Sequence, residues 1–176
     1  ARDPGGRANV VDMVRAAGPV GERGYPVGRL DADSTGLVLL TNDGEIERLL
    51  ELPSSGWIRR YRVRAYGKMD DAGLERLKGG VEIEGVRYGP VEAKVETSQG
   101  DNVWMTVSIR EGKNREVKKI CDYLGLQVNR LIRTNFGPFE LGDLQRGGIE
   151  EIPRKFWQEQ LGGKFKGADA DRRRKV

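Results

Sequence analysis

The sequence has no histidine and only one cysteine, Cys121, among its 176 residues. Without histidine, Ser-His-Asp and Cys-His catalysis are excluded, and so are metal sites that depend on imidazole ligands. A single cysteine excludes an internal disulfide and a zinc site made of thiolates, and it is typical of a reducing compartment such as the cytoplasm. Any catalysis must therefore depend on Asp, Glu, Lys, Arg or Tyr side chains, or on backbone groups.

Long apolar runs and a general excess of charge are also missing. No run approaches the roughly 18 apolar residues that a membrane helix requires, and the first residues lack the pattern of a signal peptide. The formal net charge of +4 arises from residues 164–176, because the rest of the sequence carries equal numbers of basic and acidic side chains. A basic binding surface must therefore be sought in local clusters, since the overall charge does not predict one.

Residues 28–44 contain the clearest candidate for a functional loop. A polar stretch with two carboxylates, Asp31 and Asp33, leads into the apolar residues 37–40 and ends at a turn sequence at residues 42–44. A short apolar run with such boundaries predicts a strand buried on both faces. The two carboxylates would then lie on a loop anchored by the core, which is a common location for catalytic side chains.

Three interpretations of this loop are open from its residues alone. The first is a turn whose polar side chains bond to their own backbone. The second is a calcium-binding loop, which Asp31 and Asp33 would suit but Asn42 would not, because the bidentate Glu of an EF-hand belongs at that position. The third is an active-site carboxylate with Arg29 close to it.

The same loop resembles the signature of a known enzyme family. Gly28-Arg29-Leu30-Asp31, with residues 34–37 and 39–44, is similar to a segment of the RsuA/RluB/RluE/RluF pseudouridine synthases, although Ser34 replaces a residue that is usually acidic. The Asp of this motif is catalytic in that family, which implies that Asp31 is catalytic here and that Arg29 helps to hold the backbone of the substrate nucleotide. The resemblance also implies an α+β fold, in which a mixed, largely antiparallel sheet with flanking helices contains a central catalytic cleft. It implies no metal and no organic cofactor.

Alternating side chains predict a strand over residues 57–66, with Tyr61 on the inward face and Arg60, Arg62 and Arg64 on the other face. Considered alone, Tyr61 is compatible with a core tyrosine at the edge of the sheet. Its flanking residues nevertheless resemble the family's Lys-x-Tyr-x-Val motif, in which the tyrosine lies against the target base. The resemblance implies that Tyr61 stacks on a uracil and helps to remove the proton from C5.

A helical period over residues 113–124 predicts a helix whose buried stripe begins at Lys113. Residues 111–119 resemble the third motif of the family, whose leading basic residue pairs with the catalytic Asp. We therefore expect Lys113 to lie beside Asp31 and to hold it ionised, since a nearby opposite charge favours the charged form. Arg115 is the alternative residue for this contact.

Residues 129–133 and 136–144 resemble the closing motif of the family, so that Leu131 or Ile132 would form an apolar wall opposite Tyr61. Basic side chains around the cleft are expected to contact RNA phosphates, which positions the RNA without reading its sequence. These side chains are Arg60, Arg62, Arg64, Arg115, Lys118, Lys119, Arg130 and Arg133.

Periodicity and turn residues predict the remaining elements. The helices are expected at residues 45–52, 70–78 and 154–161, a helical turn at residues 10–14, and the strands at residues 81–88, 91–97, 103–110, 126–134 and 149–152. We expect residues 1–162 to form the catalytic domain and residues 163–176 to form a flexible basic tail. In the family an S4-type RNA-binding domain precedes the catalytic domain, and we expect it to be missing from this sequence.

The residues and the resemblance together predict the isomerisation of a uridine in ribosomal RNA by a bacterial, cytoplasmic and monomeric enzyme that does not bind membranes. The similarity of residues 114–116 to the RluB branch favours 23S rRNA as the substrate. Two other classes are open: a catalytically silent rRNA-binding or ribosome-assembly module, and a glycosidase that uses Asp31 with Asp33. The glycosidase is disfavoured because only one residue separates the two carboxylates and no sugar-stacking aromatic lies nearby in the sequence.

Overall fold

The computed structural model describes residues 24–165. The chain divides into two units, a larger one formed by residues 23–143 and a smaller one formed by residues 1–22 together with residues 144–176. The helical turn expected at residues 10–14 and most of the expected tail lie outside the described residues. No helix within the described range is both long enough and apolar enough to cross a bilayer.

The larger unit contains short strands, long strands and three α-helices within its described part. The helices are α1 (Gly44–Glu51), α2 (Asp71–Leu77) and α3 (Glu116–Tyr123), and a 3₁₀ turn covers Pro53–Ser55. The strands are β1 (Tyr25–Pro26), β2 (Thr35–Gly36), β3 (Leu40–Thr41), β4 (Arg59–Tyr66), β5 (Val81–Ile83), β6 (Val86–Tyr88), β7 (Glu92–Gln99), β8 (Asn102–Ile109), β9 (Gln127–Phe136) and β10 (Phe139–Glu140). The described part of the smaller unit contains α4 (Arg154–Phe165).

A mixed, largely antiparallel sheet forms the centre of the larger unit. Its strand order is β10-β9-β4-β8-β7, and β2 pairs with β9 in parallel. Strand β4 lies between β8 and β9 and is antiparallel to both. The α+β class with a mainly antiparallel sheet, expected from the sequence, is confirmed by this arrangement.

One face of the sheet is buried in the main hydrophobic core. Val63, Ala65 and Met105 of β4 and β8 have no exposed surface, and they share this core with Leu77 of α2 and Ile120 of α3. Along β4 the buried positions alternate with exposed ones, as period-2 side chains require. The sheet therefore has one face that is covered by helices and one that carries the outward side chains of β4.

Side-chain caps define where the first two helices begin. The carboxylate of Asp43 accepts a hydrogen bond from the amide of Glu45 at 2.9 Å, and Asp70 accepts one from the amide of Ala72 at 3.1 Å. Both are N-cap contacts that satisfy a free backbone donor of the first turn. Leu52 caps the C-terminal end of α1, and Pro53 comes next, where a proline cannot continue the helix.

The apolar run at residues 37–40 is not the doubly buried strand that its composition predicts. Leu37 and Leu39 are buried, but Val38 and Leu40 are only half-buried. The run passes between two partners: the amide of Leu37 donates to the carbonyl of Arg133 at 2.8 Å, and the carbonyl of Leu39 accepts from Val27 at 2.8 Å. Short ladders form only on either side of it, at β2 just before the run and at β3 where the run ends, because the chain changes partner between them.

Other predicted elements also differ from the structure. Residues 81–88 form the hairpin β5–β6 and not one strand, because Glu84 and Gly85 both have positive φ, 50° and 77°, as a tight two-residue turn requires. No strand forms at residues 149–152, and α4 continues to Phe165, past the expected start of the tail.

Gly36 brings β2 against β9 more closely than a side chain would allow. Its φ is +114°, and a Cβ added there would overlap the carbonyl oxygen of Arg133 and lie 2.6 Å from its amide nitrogen. We expect Gly36→Ala to lower the free energy of unfolding by about 2 kcal/mol or more, through backbone strain and separation of the two strands. Denaturant titration of both proteins measures this loss.

Gly44→Ala is the matched control for this substitution. Gly44 is the first residue of α1, and an added Cβ there would have no atom within 4 Å. We expect its stability to be unchanged or slightly higher, because alanine favours helices. Equal losses for the two variants would contradict the role given to Gly36.

Candidate active site

One cavity of about 690 Å³ in the larger unit brings together most of the predicted site residues. It is formed by the loop before β2, by β4 and β9, and by the segment that leads into α3. This volume lies within the range of ligand pockets and is sufficient for a nucleotide. The predicted residues that line it are Arg29, Asp31, Tyr61, Lys113, Arg115, Lys118, Leu131 and Arg133.

Short hydrogen bonds hold the loop that carries Asp31. The amide of Gly28 donates to Oε1 of Glu51 at 2.7 Å. The amide of Ser34 donates to the carbonyl of Asp31 at 2.9 Å, which closes a turn around the carboxylate. Asp31 itself is half-buried and lines the cavity. The loop therefore presents one carboxylate to the cavity from a defined backbone conformation.

Arg133 fastens this loop to β9 from inside the protein. Its Nε donates to the carbonyl of Leu37 at 2.9 Å, and its Nη1 donates to the carbonyl of Arg29 at 3.4 Å, so the two bonds flank Asp31 in the sequence. The residue is 2% exposed, and its Nη2 has no hydrogen-bond partner within the described residues. That Arg133 contacts RNA phosphates around the cleft stays a prediction: in the structure it lines the cavity and acts as a buried clamp of the loop.

Asp33, two residues after Asp31, is paired with two cations from the α3 segment. Nζ of Lys118 contacts its carboxylate directly, and Nη2 of Arg115 lies 3.7 Å from Oδ2. The Lys118 side chain is the more enclosed of the two, with 16% of its surface exposed against 49% for Arg115. These cations argue against the calcium interpretation, because a Ca²⁺ ion at this loop would be repelled by both of them.

Lys113 does not make the contact that the sequence predicts. Because α3 begins at Glu116, Lys113 lies before the helix and off its buried stripe. Its Nζ pairs with Oε2 of Glu111 at 3.2 Å and donates to the carbonyl of Arg87, and 42% of its side chain is exposed. No ion pair among the described residues joins it to Asp31. The enclosed lysine beside the loop is instead Lys118, which pairs with Asp33.

Two predicted side chains of the sheet lie on the cavity side. Tyr61 of β4 is half-buried, and Leu131 of β9 is 4% exposed. Phe136, also from β9, adds a second apolar side chain to the lining. The guanidinium of Arg59 lies over its ring, 4.7 Å from the ring centre. An aromatic ring and two apolar side chains therefore face a cavity whose other walls are polar.

Four predicted phosphate contacts lie on the wrong face of the sheet for this cavity. Arg60, Arg62 and Arg64 alternate with Tyr61 along β4 and are exposed on the opposite side. Arg130 is the direct cross-strand partner of Arg64, so it lies on that side too. The expectation that these arginines surround the cleft is wrong, because alternation along a strand separates them from Tyr61.

Glu116 is a cavity side chain that the sequence analysis did not single out. It lines the cavity but is only 3% exposed, and burial together with the Glu111 carboxyl raises its pKa to about 9. Neither of its oxygens accepts a hydrogen bond from the described residues. The neutral form is therefore the one that suits this site, because its hydroxyl donates to Glu111, whose pKa is lowered by that bond and by the amide of Gly89 at 2.7 Å.

Comparison with known proteins identifies the family. The profile described as RNA pseudouridylate synthase matches residues 3–123, which include Asp31, Tyr61 and all of α3. The chain belongs to this family. Ribosomal large subunit pseudouridine synthase B of Haemophilus influenzae is 44% identical over 151 residues, which confirms the resemblance to the RsuA/RluB branch. An uncharacterized RNA pseudouridine synthase of Rickettsia bellii is 40% identical over 157 residues.

The chain is shorter than these pseudouridine synthases. The matched regions cover 89% of the chain but 66% of the Rickettsia protein, and 85% of the chain but 42% of the Haemophilus protein. The activity and substrates of the whole relatives are therefore not transferred to the chain by similarity alone.

Solved structures agree with the family at the level of the fold. A pseudouridylate synthase crystal structure matches 78% of this chain and 59% of its own, with a TM-score of 0.68 and 28% identity. The archaeal box H/ACA sRNP Nop10-Cbf5 complex matches 74% of this chain and 44% of its own, with a TM-score of 0.57 and 20% identity. The second likeness concerns the fold alone.

Replacing Glu116 by Gln should change how the stability of this synthase-family chain depends on pH. The folded-state pKa of Glu116, about 9, lies above the ordinary value of 4.5, so its contribution is complete below about pH 4.5 and is lost as pH rises to about 9. Gln keeps a neutral donor at every pH. We expect the two melting temperatures to agree near pH 5 and that of Glu116→Gln to be higher, on the order of 5 °C, near pH 8.5.

Glu116→Ala is the control for packing and should melt at a lower temperature at both pH values, because it removes the donor and leaves a gap. Parallel melting profiles for the wild type and Glu116→Gln between pH 5 and pH 8.5 would show that the carboxyl is not held neutral.

Proposed function

We propose that this chain converts a uridine of ribosomal RNA to pseudouridine in the cavity around Asp31. The observation that carries the proposal is a half-buried carboxylate on a clamped loop in a nucleotide-sized cavity that Tyr61 also lines. Membership of the pseudouridylate synthase family supports the reaction type. Relatives named ribosomal large subunit pseudouridine synthase B favour 23S rRNA as the substrate.

In this reaction the N1–C1′ bond breaks, the uracil turns while it is trapped, and a C5–C1′ bond forms. Asp31 assists the first step, as a nucleophile at C1′ or as a charge that stabilises a cationic sugar. The proton lost from C5 is balanced by the proton gained at N1, so no cofactor or co-reactant is consumed. The phenol of Tyr61 can stack on the base and help to move the C5 proton.

The cavity walls suit a base that must be held while it is detached. Leu131 and Phe136 are almost fully buried and offer apolar surface, which keeps water away from the free uracil. A uridine in structured RNA has to leave its stack to enter, at a cost of roughly a few kcal/mol. Phosphate contacts made by Arg29 and Arg115 at the rim would offset part of that cost.

We assign to Lys118, in place of Lys113, the role of the lysine that supports the acidic loop. It is the more enclosed of the two cations that pair with Asp33, two residues from Asp31. A cation in this place attracts the acidic loop and keeps it close to α3. Arg115 adds a second, more exposed charge at the same position.

Asp31→Asn tests the catalytic role directly. We expect pseudouridine formation to fall by at least about 10³-fold, because the amide can neither attack C1′ nor carry the negative charge. RNA affinity should change little, since the amide has the same shape as the carboxylate. Mapping of pseudouridine in 23S rRNA transcripts, together with equilibrium RNA binding, measures both quantities.

Asp71→Asn, on the exposed first turn of α2, is the matched control and should retain full activity. Retained activity in Asp31→Asn would overturn the proposal. A wild-type chain that binds rRNA but forms no pseudouridine would favour the catalytically silent rRNA-binding module.

Lys118→Gln and Lys113→Gln together decide which lysine supports the acidic loop. We expect the Lys118 variant to lose about 10²-fold in single-turnover rate, a size typical of removing one preorganised charge. The Lys113 variant should lose less than about threefold in the same measurement, because its amine pairs with Glu111. The reverse order would restore the assignment made from the sequence.

A further inference from the structure

The sheet face opposite the cavity carries a row of exposed arginines, which we call the arginine face. It consists of Arg60, Arg62 and Arg64 at alternate positions of β4, and Arg130 on the adjacent strand β9. The β4 members are about 6.8 Å apart along the strand, the distance of two residues. All four lie in the larger unit, on the side of the sheet away from Tyr61.

The positive charges on the arginine face repel one another, which lowers the stability of the fold. Arg64 and Arg130 are direct cross-strand partners, and like charges in such pairs destabilise a sheet. Within the described residues, Arg62 is the only member with an ion pair, 3.1 Å from Glu96. Arg60 donates to the hydroxyl of Ser108 at 3.3 Å, which leaves its charge uncompensated. An anionic partner would remove the repulsion that this arrangement creates.

Two aromatic side chains, the exposed Tyr66 and the half-buried Trp104, accompany the arginines. Tyr66 continues the same row of β4 and is 51% exposed, and the Arg62 guanidinium lies 4.3 Å from the ring centre of Trp104. Trp104 is itself the cross-strand partner of Arg64 on β8. Guanidinium groups next to aromatic rings suit nucleic acid, which offers phosphates to the first and base faces to the second.

We propose that the arginine face is a second RNA-binding surface, which contacts the phosphates of an RNA segment other than the one that enters the cavity. The choice of RNA as the occupant rests on the proposed function. The two surfaces lie on opposite sides of one sheet layer, so a single short stem cannot cover both without passing around an edge of the sheet. The arginine face would thus add affinity for a large, folded RNA without taking part in the reaction.

The double variant Arg64→Gln with Arg130→Gln tests this surface by equilibrium binding to a 23S rRNA transcript over a range of salt concentrations. Two lost phosphate contacts should reduce the slope of log affinity against log salt by about 1.4 to 1.8. The KM for the transcript should rise, whereas the single-turnover rate at saturating RNA should stay the same. The melting temperature at low salt should be unchanged or higher, because a repulsive pair has been removed.

Lys68→Gln with Lys78→Gln is the matched control, since it removes the same charge after β4 and at the end of α2. Its salt slope should equal that of the wild type. An unchanged slope in the arginine variant, an equal change in the control, or a lower melting temperature would overturn the proposal. A change in binding to vesicles of phosphatidylserine and phosphatidylcholine, without one for RNA, would also overturn it and assign the face to anionic lipid.

The outcome is separable from that of the proposed function. If the wild-type chain forms no pseudouridine but the arginine variant loses the expected salt slope, the surface stands and the reaction does not. If pseudouridine forms and the slope is unchanged, the reaction stands and the surface does not.

Discussion

The buried guanidinium of Arg133 is the contact on which the geometry of the site depends. It reaches from β9 to the carbonyls of Arg29 and Leu37, on both sides of the loop that carries Asp31. A buried charged group that makes such bonds tolerates little movement, because a lost bond leaves it unpaired in the interior. Gly36 completes the attachment, since it allows the β2 backbone to lie directly against Arg133. The loop that carries Asp31 is thus attached to β9 at both of its ends although it is not itself a strand.

The carboxyl groups that line the cavity differ in their surroundings. Asp31 is half-buried at the cavity wall, whereas Glu116, which also lines the cavity, is almost fully enclosed. Burial makes a charge on Glu116 costly, and a hydrogen bond to Glu111 suits its neutral form. One carboxyl can therefore act on a ligand while the other holds together the segment that leads into α3.

A single sheet separates two chemically different surfaces. The cavity side combines an aromatic ring, apolar side chains and an acid, which suits chemistry on one nucleotide. The opposite side presents positive charge over a wide area, which suits contact with an extended polyanion. Both surfaces come from the same strand, β4, whose alternate residues point in opposite directions.

The sequence predicted the features that depend on neighbouring residues, but not the contacts between residues that are far apart in the chain. The loop at Asp31, the two faces of β4 and the α+β class follow from local composition and period-2 alternation, which the backbone geometry of a strand enforces. The start of α3 was misjudged because a helical period can continue into a preceding loop, and this error moved Lys113 onto a buried stripe that it does not share.

Local patterns also could not show that Arg133 is a buried clamp, that Lys118 pairs with the acidic loop, or that Glu116 is kept neutral. Each of these features depends on partners far away in the chain or on the exclusion of water. Neighbouring residues in the sequence determine neither the distant partners nor the exclusion of water. The sequence by itself determined which side chains share a face of a strand and which loop carries the carboxylate. Only the tertiary structure decided which charges meet, because ion pairing and desolvation depend on distances through space.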